Sequence, residues 1–123
     1  MASVLIAEDE AAVREFVSRA LATDGHRVTA VGDGGQALEA LAKEPFDVML
    51  ADIVMPVMDG IALALKAARD FPAMPVVLMT GYAPEKERAH NLDRLIFEVV
   101  PKPFTLAEIC TVIARALDSR PPV

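Results

Sequence analysis

The chain has 123 residues and a net charge of −6, and 54% of its residues are apolar while 24% are charged. This length suits one domain with a full buried core, and the composition is typical of a globular protein. The acidic balance excludes nucleic acid and anionic membranes as the expected main partners, because both attract basic patches. The single cysteine, Cys110, cannot form an internal disulfide, which favours a reducing cytoplasm. The first residues have no basic segment and no long apolar run, so we expect neither a signal peptide nor a membrane span.

In the first half of the chain, continuous apolar runs alternate with segments whose apolar residues have helical spacing. Val4 to Ala7 and Val48 to Ala51 are continuous apolar runs that predict buried strands, and the alternation from Arg27 to Val31 predicts a third strand. Apolar residues at helical spacing predict helices over Ala11 to Thr23 and Gln36 to Lys43. The expected inner face of the first helix consists of Val13, Phe16, Val17, Ala20 and Leu21.

The second half of the chain repeats this alternation. Strands are predicted over Val76 to Met79 and Ile96 to Val100, and helices over 61–71, 84–95 and 106–117. Thr105 and Glu108 have the spacing of a capping box at the start of the last helix. The expected inner faces of the three helices are Ile61, Leu65, Ala68 and Phe71 in the first, Leu92 and Leu95 in the second, and Leu106, Ile109, Ile113, Ala116 and Leu117 in the last.

The strand and helix alternation occurs about five times along the chain. This order predicts an α/β fold in which a parallel sheet has helices on both faces. We expect one domain over residues 1–119, followed by a Pro-rich tail over 120–123 that is too short to be an output module.

Four of the predicted strands end in polar residues, which are Glu8-Asp9, Asp52, Thr80 and Lys102. Because the carboxyl ends of parallel strands lie along one edge of a sheet, we expect these residues to converge. Crowded carboxylates repel one another unless a cation lies among them, and oxygen ligands favour Mg²⁺. A carboxylate beside Mg²⁺ can attack a phosphoryl group, and a lysine and a hydroxyl are usual components of phosphoryl-transfer sites.

The chain resembles the receiver domain of response regulators over residues 3 to about 118. The motifs that carry the resemblance are I-A-E-D-E at 6–10, A-D-I-V-M-P-V-M-D-G at 51–60, M-T-G at 79–81 and V-P-K-P-F at 100–104. Each motif is weak alone, but their order and their positions at strand ends are specific. The resemblance implies a doubly wound, flavodoxin-like (βα)5 fold with five parallel strands in the order 2-1-3-4-5.

The same resemblance implies a role for each residue at the expected edge. Asp52 would be the phosphoacceptor. Asp9 would bind Mg²⁺ directly and Glu8 through water, with Asp52 and the backbone carbonyl of Val54 as further ligands. Thr80 would hydrogen-bond the phosphoryl group, and Lys102 would pair with it, with a cis peptide bond between Lys102 and Pro103. Such a protein catalyses only its own phosphoryl transfer and dephosphorylation, and we do not expect another enzymatic activity.

One position departs from the family pattern. Receivers commonly have a switch aromatic three residues before the lysine, where this chain has Val99. Tyr82, two residues after Thr80, is the single tyrosine. We therefore expect a switch formed by Thr80, Tyr82 and Val99 in which Tyr82 supplies the aromatic side chain.

The resemblance also implies protein partners. A histidine kinase or histidine phosphotransfer protein would dock beside the first helix, whose expected outward residues are Arg14, Glu15, Ser18 and Arg19. The downstream partner would bind the fourth predicted helix, the last strand and the final helix, a surface that includes Arg88 and Arg94. The length and the T-G-Y segment resemble the CpdR-type single-domain receivers of alphaproteobacteria, which implies control by a phosphorelay and an adaptor role towards the ClpXP protease.

Two other functions remain as alternatives. A phosphohydrolase of the haloacid-dehalogenase type also uses Asp, Mg²⁺, Thr and Lys on a doubly wound sheet, but its nucleophile lies on the first strand with a second Asp two residues later. Here the acidic pair comes first, and Val54 stands two residues after Asp52, so this hypothesis is disfavoured. The other alternative is a receiver fold that binds its partner without phosphorylation.

Several polar residues receive structural interpretations. Asp59-Gly60 is assigned to a turn and a helix start. His26 and His90 lack paired ligand spacing, so we expect surface or turn positions for them. Cys110 is expected to pack against the core as a helix residue.

Overall fold

A computed structural model describes residues 2–81 and 95–119, and its centre is a five-stranded parallel sheet. The strands are β1 (Ser3–Ala7), β2 (Arg27–Val31), β3 (Val48–Asp52), β4 (Val76–Thr80) and β5 (Glu98–Pro101). Their spatial order is β2-β1-β3-β4-β5, and every neighbouring pair is parallel. The predicted doubly wound α/β fold and its strand order are therefore confirmed.

The described part of the chain contains helices on both faces of this sheet. They are α1 (Ala11–Thr23), α2 (Gly34–Lys43), α3 (Gly60–Asp70) and α4 (Leu106–Asp118). The helix predicted over 84–95 lies outside the described residues except for Leu95, which was expected to face inward but is in a turn and 42% exposed. None of the helices in the described ranges is long and apolar enough to cross a bilayer.

The core has two halves, one on each face of the sheet. Leu5 and Ala7 of β1 belong to the half beneath α2 and α3, whereas Val4 and Ile6 belong to the half beneath α1 and α4. This separation follows from the strand period of two, and burial of both faces explains why the strands are continuous apolar runs. Cys110 of α4 packs against the second half, as predicted.

Some helix faces differ from the predicted ones. Phe16, Leu65 and Leu106 were expected to face inward but are 41%, 45% and 50% exposed. The buried residues are Val17, Ala20 and Leu21 in α1, Leu63, Ala64 and Ala67 in α3, and Ile109, Val112, Ile113 and Ala116 in α4. The period of an apolar stripe fixes its spacing, but the packing of the helix on the sheet decides which edge of the stripe is covered.

Side-chain caps explain where three helices begin. Asp33 Oδ1 accepts from the backbone N–H of Gln36 at 2.8 Å, so α2 begins two residues before the predicted start. Asp59 Oδ1 accepts from the N–H of Ala62 at 2.8 Å, which agrees with the structural role expected for Asp59. The capping box at α4 is also present, with Thr105 and Glu108 bonded to each other's backbone N–H.

Candidate functional site

Three carboxylates lie together at the carboxyl edge of the sheet. Asp52 is the last residue of β3, and Glu8 and Asp9 follow the neighbouring strand β1, whose Ala7 is in register with Ala51. One carboxylate oxygen from each residue can be chosen so that the three oxygens lie within 4.8 Å of one another. The predicted convergence of Glu8, Asp9 and Asp52 is therefore present.

The three carboxylates differ in their access to solvent. Glu8 is fully buried and Asp52 is 7% exposed, whereas Asp9 is exposed. A set of oxygen donors with one open side fits a hard divalent cation such as Mg²⁺, which keeps several of its water ligands when it binds a protein. Asp9 stands on the open side, where a hydrated ion would enter.

Lys102 connects the two buried carboxylates. Its Nζ donates to Glu8 Oε1 at 2.7 Å and to Asp52 Oδ2 at 2.6 Å. Burial disfavours the charged ammonium, but the hydrogen bonds to Asp52 and Glu8 and their negative charges outweigh this effect and raise the pKa of Lys102. Lys102 is therefore a charged counterion for both carboxylates.

The backbone around Lys102 holds this side chain at the site. The N–H of Lys102 donates to the carbonyl of Thr80 at 2.7 Å, which extends the β4–β5 pairing beyond Pro101. The peptide bond between Lys102 and Pro103 is cis, as the family resemblance implied. The strand pairing delivers the lysine to the same edge as Asp52.

Burial changes the acidity of Glu8. The pKa of Glu8 is raised from 4.5 to about 7, and desolvation by burial is the largest cause. The hydrogen bonds from Lys102 and from the backbone N–H of Glu10 lower this pKa, and the nearby Asp52 raises it. The Glu10 N–H lies 3.0 Å from Glu8 Oε2. Glu8 therefore gains or loses its proton near neutral pH, within hydrogen-bond distance of Lys102.

Thr80 lies at the same edge, one strand away from Asp52. Asp52 is in register with Met79, so Thr80 stands one position beyond it at the end of β4. Thr80 is buried, and it takes part in an interaction with its surroundings. The structure thus places all the residues predicted at the four strand ends along one edge.

The loop after Asp52 is held close to β3. The N–H of Val54 donates to Asp52 Oδ1 at 3.1 Å, and the N–H of Gly60 donates to the carbonyl of Ile53 at 2.8 Å. A Cβ atom added at Gly60 would lie 2.2 Å from the backbone oxygen of Asp52. Glycine is therefore required at position 60 by the close approach of the α3 start to the acidic residue.

Comparison with known proteins identifies the family. The family model of the response regulator receiver domain matches residues 4–114. The chain belongs to this family. Receiver domains bind Mg²⁺ at an acidic pocket, which corresponds in this receiver to the cluster of Glu8, Asp9 and Asp52.

Two relatives and one solved structure place this receiver among its homologues. The transcriptional activator protein PfeR of Pseudomonas aeruginosa is 41% identical over 106 residues, which are 86% of this chain but 34% of PfeR, so the chain spans about a third of that relative. The response regulator receiver protein CpdR of Brucella abortus is 37% identical over 95% of this chain and 98% of its own length, and the predicted resemblance to CpdR-type receivers is confirmed. A CheY-like receiver domain protein of Methanospirillum hungatei has a TM-score of 0.89 at 27% identity, covering 96% of this chain and 94% of that one.

Only part of the predicted switch lies within the described residues. Val99 is half-buried, is in register with Leu78 and packs against the core beneath α2 and α3. Tyr82, Arg88 and Arg94 lie outside the described ranges, so the predictions for the switch and the output surface stay predictions.

Of the four residues expected to face outward on α1, two are exposed and two are half-buried. Glu15 and Arg19 form an exposed ion pair of 2.7 Å. Arg14 and Ser18 are half-buried, and the Nη1 of Arg14 turns back to the Glu8 carbonyl at 2.8 Å while Ser18 Oγ donates to the Arg14 carbonyl at 2.7 Å. The long side chain of Arg14 reaches the loop before its own helix, which helical periodicity alone does not predict.

A groove beside the lysine was missed by the sequence analysis. The rings of Phe16 and Phe104 lie 6.4 Å apart, centroid to centroid. They line a cavity of about 540 Å³ together with Ala12, Val13, Gly81, Lys102 and Pro103. The Phe next to the P-K-P motif was the available signal in the sequence, whereas Phe16 was assigned to the core.

Proposed function

We propose that this receiver is a phosphorylation-controlled signalling protein in which Asp52 accepts a phosphoryl group from a histidine kinase or a histidine phosphotransfer protein. The observation that supports this most is the contact of one Asp52 oxygen with Lys102 Nζ at 2.6 Å, beside two further carboxylates. The site thus combines an acceptor carboxylate, an oxygen-donor set for a cation and a fixed positive charge. These are the components that phosphoryl transfer needs.

Asp9, Asp52 and the backbone carbonyl of Val54 would hold the Mg²⁺, with Glu8 acting through water. When bound, the ion neutralises the carboxylates and the oxygens of the incoming phosphoryl group. The exposed position of Asp9 supports its role as the direct ligand, because Glu8 is already engaged by Lys102 and by the Glu10 N–H.

The transfer step follows from the position of Asp52. One of its carboxylate oxygens forms a bond to phosphorus while the bond between phosphorus and the donor imidazole nitrogen breaks, and the electron pair of that bond stays on the nitrogen. Lys102 then pairs with the phosphoryl oxygens instead of the free carboxylate, and the hydroxyl of Thr80 donates to the same group. We propose that this change alters the loop after β4, with Tyr82 and Val99 as the switch residues.

Binding of beryllofluoride, which resembles an acyl-bound phosphoryl group, tests this proposal. We expect Mg²⁺ and beryllofluoride together to shift the backbone amide resonances of Asp52, Thr80 and Lys102 in wild type. The Asp52→Asn variant has the same size but a neutral acceptor, and should show no such shift. Equal shifts in both proteins would contradict the proposed acceptor.

We further propose that the phosphodonor docks on the groove of Phe16 and Phe104, beside the outward residues of α1. The groove opens next to Lys102, and a donor seated there would bring its phosphohistidine to Asp52. In transfer from a histidine phosphotransfer protein that phosphorylates wild type, Phe16→Asp should slow the reaction far more than it slows phosphorylation by acetyl phosphate. Leu65→Asp is the matched control, because Leu65 is similarly exposed on α3.

The downstream role is proposed to be a protein contact, and the homology to CpdR supports an adaptor role towards the ClpXP protease. The single cysteine of this chain, Cys110, supports the cytoplasm as its compartment. Pull-down with the wild-type protein, with and without beryllofluoride, should recover the protease in one of the two states. Recovery in neither state would exclude the adaptor role, and charge reversal at Arg88 or Arg94 would then test whether another partner uses that surface.

The alternative of phosphorylation-independent binding has one observation in its favour, the valine at position 99. It predicts that Asp52→Asn binds the partner as tightly as wild type does in both states. A phosphohydrolase of the haloacid-dehalogenase type would instead turn over a phosphate ester, which the purified protein is expected not to do.

A further inference from the structure

Arg14 bonds to the loop on both sides of Asp9. Its guanidinium Nη1 donates to the carbonyl of Glu8 at 2.8 Å, and its backbone N–H donates to the carbonyl of Glu10 at 2.9 Å. The two acceptors belong to the residues directly before and after Asp9. The bond to Glu10 is the first i to i−4 bond of the helix, so the contact that belongs to the arginine side chain is the one to Glu8, directly before the exposed carboxylate of Asp9.

The start of α1 has no side-chain cap. Glu10 is the N-cap residue of α1, and its side chain makes no capping hydrogen bond, in contrast to Asp33, Asp59 and Thr105 at the other described helices. Arg14 lies one turn further along the helix and donates to the Glu8 carbonyl, so it does not replace a cap, which accepts from the free N–H groups of the first turn. The β1–α1 loop is instead held by this bond and by the bond from the Glu10 N–H to Glu8 Oε2.

The side chain of Arg14 is itself confined. It is half-buried, and a Cβ atom added at Gly32 would lie 3.4 Å from its Nη1, so the loop after β2 passes close to the guanidinium. A side chain confined in this way can hold its hydrogen-bond acceptor in one position.

We propose that Arg14 is a positioning residue for the metal site, which fixes the β1–α1 loop so that the Asp9 carboxylate stands beside those of Glu8 and Asp52. This inference rests on the proposed binding of Mg²⁺ at these carboxylates. It differs from a docking role for Arg14, since a docking residue would affect the protein donor and leave metal affinity unchanged.

The charge of Arg14 and its proposed positioning role have opposite effects on Mg²⁺ affinity, so the inference can be tested. A guanidinium near a cation site repels the cation, so loss of its charge alone would tighten Mg²⁺ binding. Loss of a group that orients a metal ligand weakens metal binding, by 10- to 100-fold in typical cases. The sign of the change in the Mg²⁺ dissociation constant therefore separates the two accounts.

The experiment is isothermal titration calorimetry with MgCl₂ on four proteins. Arg14→Met should bind Mg²⁺ roughly tenfold more weakly than wild type. Arg14→Lys should fall between them, because its ammonium keeps the charge and one donor but not the planar fork. Arg69→Met removes an exposed guanidinium that pairs with Asp70 at the end of α3, and should match wild type.

Three results would overturn the positioning role of Arg14, the proposed function, or both. Arg14→Met binding Mg²⁺ as tightly as wild type, or more tightly, would refute the positioning role while the proposed function stands. Wild type failing to bind Mg²⁺ would remove the proposed function as well. If Arg14→Met does not fold, Arg14→Lys carries the test, and its backbone amide resonances at Asp9 and Glu10 in the metal-free protein should move relative to wild type. Unchanged resonances together with unchanged affinity in Arg14→Lys would refute the inference.

Discussion

The ammonium of Lys102 donates to Glu8 Oε1 at 2.7 Å, and the two residues are 94 positions apart in the chain. The same nitrogen reaches Asp52 Oδ2 at 2.6 Å. Glu8 is fully buried, so without Lys102 its charged form would have neither solvent nor a cation to stabilise it. In the metal-free protein, the Lys102 ammonium is the cation that lies between the two carboxyl groups.

Loss of this ammonium should destabilise the metal-free protein. Lys102→Met removes the counterion of buried Asp52 and the hydrogen-bond donor of Glu8, whose pKa then rises further so that Glu8 keeps its proton. We expect a loss of roughly 2–4 kcal/mol in the free energy of unfolding at pH 8. Urea unfolding in EDTA measures this loss, and added Mg²⁺ should restore part of it. Lys43→Met, an exposed lysine at the end of α2, should change stability by less than about 0.5 kcal/mol. Equal stability of the two variants would contradict the counterion role.

The raised pKa of Glu8 predicts a pH dependence of stability. Glu8 keeps its proton up to about pH 7 in the folded protein, whereas its model value is 4.5, so between these values the folded state binds more protons than the unfolded state. The stabilising contribution is complete below pH 4.5 and is lost as the pH rises through about 7. Its slope is at most about 1.4 kcal/mol per pH unit.

Glu8→Gln isolates this contribution, because glutamine has the same shape and does not titrate. In EDTA, the stability of wild type relative to Glu8→Gln should fall from pH 5 to pH 8. Urea unfolding at each pH measures the difference. A difference that stays constant with pH would show that Glu8 does not titrate in this window.

Val57 has a strained backbone in the loop between β3 and α3. Its φ is 71°, in the left-handed region that a β-branched residue rarely adopts, and its side chain is 82% exposed and so gains little from packing. Val57→Gly should therefore stabilise the protein by about 1 kcal/mol, as judged by urea unfolding. Val54→Gly is the matched control in the same loop, since the backbone of Val54 has no positive φ and glycine there should destabilise by about 0.5–1 kcal/mol. Destabilisation by both variants would refute the strain at Val57.

Gly60→Ala tests the close contact behind the acceptor. The added Cβ would lie 2.2 Å from the Asp52 carbonyl oxygen, so either β3 or the start of α3 must move. We expect a loss of at least about 2 kcal/mol and slower phosphorylation by acetyl phosphate. At Gly81 the nearest atom to an added Cβ is 3.8 Å away, so Gly81→Ala should cost much less stability. A Gly60→Ala protein as stable as Gly81→Ala would contradict the geometry.

The sheet and its polar strand ends could be predicted because each strand is marked by a short run of neighbouring residues in the sequence. A strand buried on both faces is a continuous apolar run, and the run stops where the strand reaches the polar edge of the sheet, as at Asp52 and Thr80. The fold then brings such ends together, since parallel strands share one edge. The positions of the residues at the four strand ends followed from this reasoning, and their roles stay predictions.

Features that depend on tertiary packing could not be predicted in the same way. Phe16 lies at the margin of an apolar stripe, and only the fit of α1 against its neighbours decides that it remains exposed. Arg14 has a side chain long enough to reach backwards to Glu8, which no spacing rule describes. The positive φ of Val57 arises from the path between β3 and the cap at Asp59, because valine itself disfavours that conformation.

The most direct test of the central claim is intact-mass spectrometry after incubation with acetyl phosphate. Wild type and Asp52→Asn are compared, each with Mg²⁺ and with EDTA. We predict one phosphoryl increment in wild type with Mg²⁺, and none in the other three samples. An increment in Asp52→Asn, or none in wild type with Mg²⁺, would contradict the assignment of Asp52 as the Mg²⁺-dependent phosphoacceptor.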